Sequence, residues 1–85
     1  MRIVEEIEFY FEPRIEQDGG LWSAYCDELQ MASSGATREE AEGNLVETLQ
    51  AFARALRKRD LLEETLKEAG LRWVAVEIEG LRVVA

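Results

Sequence analysis

A chain of 85 residues is enough for one domain, spanning residues 1–85. A domain this small buries only about 60–65% of its unfolded surface, so its core is thin and a partner or a second copy is expected. Hydrophobic residues make up 47% of the chain, which argues against disorder, and the net charge of −8, from 15 Glu and 3 Asp against 8 Arg and 2 Lys, disfavours phosphate backbones as ligands.

Two absences narrow the chemistry. There is no histidine, so Ser-His-Asp and Cys-His catalysis, His-metal sites and His acid–base chemistry are all excluded. A single cysteine, Cys26, forms no intramolecular disulfide and supports no thiolate zinc cluster, and it fits a reducing cytoplasm.

The first segment, "MRIVEEIEF", places carboxylates where a secretion signal has its apolar core, and no apolar run approaches the roughly 20 residues of a membrane span. Ile3, Ile7, Phe9, Phe11 and Ile15 alternate with Glu6, Glu8, Tyr10, Glu12 and Arg14, which predicts one half-buried strand with the carboxylates facing water. Glu5 interrupts the apolar face, and Pro13, lacking an N–H, marks an edge or a bulge.

Asp18-Gly19-Gly20 is a hairpin turn, because its glycines accept positive φ. A second strand over Leu21–Cys26 follows, with Trp22, Ala24 and Cys26 on one face and Leu21, Ser23 and Tyr25 on the other. Residues Leu29–Ser34 form a short third strand.

The period then changes. Ala41, Leu45, Leu49, Phe52 and Leu56 form the apolar stripe of a helix over roughly residues 38–58, flanked by Ala53 and Ala55. Thr37 is its N-cap, and Glu40 completes a capping box three residues later. Residues 61–69 make a shorter helix, capped by Asp60 and closed by Gly70, with Leu71 folding back. "RWVAVEIEG" returns to strand period, and "LRVVA", Leu81–Ala85, needs cover from the sheet or from another copy. The fold class that results is α+β: two layers, β-β-β-α-(α)-β, an antiparallel sheet of three or four strands with helix packed on one face.

The stretch "DGGLWSAYCDELQMASSGATREEAEGNLVETLQAFARAL" resembles the HicB-like antitoxin family. The pattern is a strand ending in Cys26, then Glu28 and Leu29, then Ser33, Gly35 and Thr37, then Glu39, Glu40 and Ala41 opening a helix that continues through Asn44 and Leu45. Gly19 and Gly20 stand at the family's distance upstream, and the likeness covers about residues 5–58. The resemblance implies a truncated ribonuclease H-like fold and, as function, the antitoxin half of a prokaryotic type II toxin–antitoxin pair. Such an antitoxin binds and occludes a small basic HicA-type ribonuclease toxin, without cofactor, metal or enzymatic activity of its own.

Two departures from the family pattern stand out. The chain ends at Ala85, where many members continue into a DNA-binding module, so the expectation is a stand-alone member with no direct nucleic-acid contact. Gln30-Met31 stands where many members have Pro-Gly after the leucine, a difference of loop shape.

Four other readings compete with this one. A nuclease needs carboxylates converging on two metals, and Asp18, Asp27, Glu28 and Glu40 are spread over a turn, a strand end and a cap. A reactive thiol conflicts with the inward alternation of Cys26. A DNA-binding regulator conflicts with the charge. An orphan interaction domain of the same family, without a toxin, stands as the main alternative. The residues expected to touch a partner are Trp22, Tyr25, Asp27 and Glu28, aromatics beside carboxylates, with Trp22 as core in the plainer reading. The residues expected to build the motif are Gly19, Gly20, Cys26, Leu29, Gly35, Thr37, Glu40 and Ala41. A homodimer or larger homo-oligomer through the last strand is expected, and the excess of Arg over Lys points to a thermophilic or GC-rich source.

Overall fold

The computed structural model describes the backbone of residues 2–5, 7–77 and 82–84 and the side chains of residues 8–73. Its strands are β1 (Arg2–Glu5), β2 (Ile7–Tyr10), β3 (Arg14–Asp18), β4 (Leu21–Cys26), β5 (Met31–Gly35), β6 (Arg72–Glu77) and β7 (Arg82–Val84). A 3-10 turn, Asp27–Leu29, separates β4 from β5, and the helices α1 (Arg38–Lys58) and α2 (Leu62–Glu68) separate β5 from β6.

The α+β class holds, and every described strand pairing is antiparallel. The sheet is not single, however. β3, β4 and β5 form one three-stranded sheet, and β1, β2, β6 and β7 form a second with the order β1-β2-β6-β7. The long first strand expected from alternation is therefore three strands. Val4 pairs with Glu8 and Ile3 with Phe9, so the chain reverses between β1 and β2 at the point where Glu5 breaks the apolar alternation. It breaks again at Phe11–Pro13, where Pro13 cannot donate to a ladder, and passes from one sheet to the other.

Glu8 departs from the expected alternation. Alternation places Glu8 on a wet face, yet it is buried at 1% exposure. β2 is an interior strand of the second sheet, with β1 on one side and β6 on the other. The carboxylate is not stranded there: among the described residues, no buried side-chain nitrogen or oxygen lacks a hydrogen-bond partner.

One core joins the sheets to the helices. Phe9 and Phe11 come from the first segment, Ala24 and Cys26 from β4, Leu62 and Leu66 from α2, and Leu71 folds back onto the same cluster. From α1 the fully buried residues are Ala41, Leu45, Leu49 and Ala53, a row in steps of four. The sequence stripe instead turns at Phe52. Ala53 takes the core position, and Phe52 lies one place aside, half-buried at the edge of the helix layer.

Each helix stops by the same device. The Asp60 and Leu61 N–H groups donate to the Arg57 and Leu56 carbonyls, at 3.1 and 2.9 Å. The Gly70 and Leu71 N–H groups donate to the Lys67 and Leu66 carbonyls, both at 3.0 Å. These are paired Schellman bonds, which require a left-handed residue just past the helix. Gly70 supplies it at φ 75°, and Asp60 supplies it at φ 58°. Asp60 thus closes α1 and does not cap α2, whose N-cap is Leu61 with no side-chain bond.

The last described strands are β6 and β7, paired antiparallel from Ala75–Val84 to Glu77–Arg82. The facing of Val74, Val76, Ile78, Glu77 and Glu79, and a dimer contact through the side chains of "LRVVA", lie outside the described residues.

Candidate protein-interaction surface

The β3–β4 hairpin closes on Asp18 and Leu21 as paired residues, leaving Gly19 and Gly20 as its two central positions. Gly19 has φ 62°, the left-handed value that a two-residue hairpin turn demands at its first centre. From this turn the alternation of β4 runs as the sequence indicates. Ala24 and Cys26 are fully buried, and Trp22, half-buried, packs against the same core.

The other face of β4 carries Tyr25, which is paired in register with Arg14 of β3. The Arg14 guanidinium carbon lies 4.1 Å from the centroid of the Tyr25 ring, a cation–π contact. The same guanidinium donates twice to Asp27, from Nε at 2.9 Å and from Nη2 at 3.0 Å, and its Nη1 reaches Glu16. Those bonds hold the Asp27 carboxyl below its ordinary range and raise the Arg14 guanidinium above its own. Asp27 is therefore already engaged by its own chain. A second Arg–Tyr pair sits across Pro13 on the other sheet, where Arg72 lies 5.3 Å from the ring of its register partner Tyr10.

Strand alternation places Asp27 and Glu28 at a strand end. They lie instead in the 3-10 turn, and β5 begins later than expected, at Met31. Gln30 ends the turn in the left-handed region, at φ 55° and ψ 45°, and donates its N–H to the Asp27 carbonyl at 3.1 Å. This left-handed conformation is one that glycine adopts more readily than glutamine.

The turn directs Glu28 back towards Cys26. The Cys26 thiol donates to Glu28 Oε1 at 3.8 Å, a weak sulfur bond. Burial pushes this thiol up, and the Glu28 and Asp27 carboxylates add to the rise against a lowering bond from the Leu29 backbone. Cys26 is thus a packed thiol. The four expected contact residues are consequently divided: Tyr25 and Asp27 share the outer cluster organised by Arg14, Glu28 stands at the turn, and Trp22 belongs with the core.

The strand-to-helix junction is built by Gly35, Thr37, Glu40 and Ala41. Thr37 Oγ1 accepts the Glu40 N–H at 3.0 Å, and the Ala41 N–H reaches the Thr37 carbonyl at 3.0 Å. The cap is single: among the described residues the Glu40 carboxylate makes no return bond to Thr37. Glu40 Cβ and Cγ cover Gly35 instead, where an added methyl would stand 2.8 Å from them and from the Ala41 nitrogen. Further along α1, the Asn44 amide donates to the Ser34 carbonyl at 2.8 Å, and Thr48 and Ser33 share a hydroxyl bond of 3.0 Å. These contacts fasten the polar side of α1 to β5.

Past the turn lies a feature that periodicity alone does not reveal. Leu29, Phe52 and Ala69 form the apolar floor of an open groove of about 290 Å³, bordered by Glu28, Gln30, Thr65 and Glu68. Phe52, one place off the buried row of α1, is left to line it.

Among the described residues, no three His, Cys, Asp or Glu side chains converge to hold a metal ion. No described helix is long and apolar enough to cross a membrane. Searches of protein-family models, curated proteins and solved structures return no match to this chain.

Proposed function

We propose that this chain is an antitoxin of HicB-like type, which binds a small basic ribonuclease toxin and blocks it by covering its RNA-binding and catalytic surface. The observation that carries this reading is the junction from Cys26 to Ala41. Four residues of the pattern have a clear physical role there. Cys26, itself buried, ends β4, Leu29 packs against the core, Gly35 admits the first turn of α1, and Thr37 caps it. The acidic balance supplies the second support, since a net charge of −8 draws a basic partner and imitates the phosphates such a partner binds.

The test is to look for an adjacent reading frame that encodes a small basic protein and to co-express that protein with this chain. Rescue of growth and co-purification of a stable complex are the expected outcome. Failure of any such neighbour to bind sinks the antitoxin reading and leaves an orphan interaction domain. A truncated ribonuclease H-like architecture, and a homodimer through the last strand, belong to the same proposal; the oligomeric state is checked by light scattering on the purified chain.

A further inference from the structure

We propose that the groove between the Asp27–Leu29 turn, α1 and α2 receives an arginine or lysine side chain of a basic protein partner. Its floor is apolar, from Leu29, Phe52 and Ala69, and the charged residues at its border are the carboxylates Glu28 and Glu68, with no cation among the lining residues. Long basic side chains combine an aliphatic stem with a charged head, so the stem covers the floor while the head meets the rim. A purely apolar anchor would take water from Glu28 and Glu68 and give nothing back. A phosphate or an acidic peptide would meet two like charges. Arginine is the better fit of the two, because a guanidinium also stacks on the Phe52 ring.

The groove differs from the Arg14–Tyr25–Asp27 cluster in one decisive respect. There the carboxylate already has its guanidinium, at 2.9 and 3.0 Å. Glu28, by contrast, has among the described residues only the weak 3.8 Å thiol bond, and a stronger partner can replace it. The identity of the protein that supplies the side chain rests on the basic-partner reading above, whereas the chemistry of the groove does not.

The test uses the full chain and three small probes: N-acetyl-arginine amide, N-acetyl-leucine amide and N-acetyl-glutamate amide, titrated by heteronuclear NMR. The expected result is a saturating shift for the arginine probe at Leu29, Gln30, Phe52 and Ala69, absent for the glutamate probe and much smaller for the leucine probe. The double variant Glu28→Gln/Glu68→Gln, with its spectrum otherwise intact, weakens that binding by about fivefold to tenfold, the loss of two exposed ion pairs. Phe52→Leu keeps an apolar floor and removes only the stacking gain. Shifts scattered over the acidic surface, or binding unaltered in the double variant, overturn the proposal. If no basic protein encoded beside this chain binds it while the arginine probe still localises here, the antitoxin reading falls and the groove stands. If such a protein binds with equal affinity to the double variant, the groove falls and the antitoxin reading stands.

Discussion

Gly35 lies so close to Ala41 that a methyl group on its Cα would stand 2.8 Å from the Ala41 backbone nitrogen. This contact sets the distance between the edge of the three-stranded sheet and the first turn of α1. Because the nearest atoms include backbone, the strain cannot be relieved by a rotamer change. Gly35→Ala is expected to destabilise the fold by about 2 kcal/mol, within the range for overpacking. Gly43→Ala is the internal comparison: it sits exposed within α1 with nothing within 4 Å of an added methyl, so it should stabilise by about 0.5–1 kcal/mol. Urea midpoints for the two variants, moving in opposite directions, check the argument, and a Gly35→Ala protein of unchanged midpoint would refute it.

The two Schellman closures give a second pair of opposed outcomes. Asp60 holds φ 58° where Gly70 holds φ 75°. A left-handed conformation costs an L-residue energy that glycine does not incur, and a carboxylate also stands unfavourably at the negative end of α1. Asp60→Gly should therefore stabilise by about 0.5–1 kcal/mol, and Gly70→Ala should destabilise by about 1 kcal/mol. Thermal midpoints decide between this assignment and the capping role for α2 that sequence spacing suggests for Asp60. Loss of stability in Asp60→Gly would restore that role.

Much of this architecture is legible in the sequence, and the failures have local causes. The hairpin at Gly19-Gly20, the helix from Arg38 and the return of Leu71 follow from turn chemistry, a cap and a change of period. Those signals act over a few residues, so tertiary context does not override them. The first fifteen residues misled because alternation records which residues share a face and not where the chain reverses. A strand in the middle of a sheet and a strand at its edge can show the same period, so Glu8 reads as solvated although β2 is an interior strand. At the candidate site, alternation along the chain does not show how the residues group in space. Arg14 is remote from Asp27 in sequence, and only the β3–β4 register brings it across to claim that carboxylate. The groove was hidden for the same reason, since Leu29, Phe52 and Ala69 come from three separate elements.

The Arg14–Asp27 pair leads to a pH prediction of definite sign. Asp27 has its pKa lowered by the Arg14 hydrogen bonds, so the folded state binds this proton less readily than the unfolded chain. The contribution to stability is present above the unfolded carboxyl pKa of about 3.9 and is lost as pH falls through the lower folded value. Both groups are exposed and screened, so the effect on stability is small and the direct readout is the carboxyl titration. NMR titration of Asp27 should give a value below the ordinary carboxyl pKa of about 3.9, and Arg14→Gln should return it upward. A titration unmoved by Arg14→Gln would show that the pair does not persist in solution.

Cys26 is governed by the opposite sign. Burial raises the thiol pKa, with Glu28 and Asp27 adding to the rise, so the protonated form is favoured in the folded state. This stability is fully present below the unfolded thiol pKa of about 8.5 and is lost as pH rises through the higher folded value. The native protein should react with an aromatic disulfide reagent far more slowly than the denatured chain at the same pH, because attack requires both exposure and the thiolate. Cys26→Ala leaves a small void and should cost about 1 kcal/mol, whereas Cys26→Ser places a hydroxyl in the same site and should cost more unless Glu28 accepts a hydrogen bond from it. Comparing Cys26→Ser with Cys26→Ser/Glu28→Ala measures that bond: equal stability for the two would mean that Glu28 does not turn towards residue 26, and rapid labelling of the native thiol would mean that β4 does not bury it.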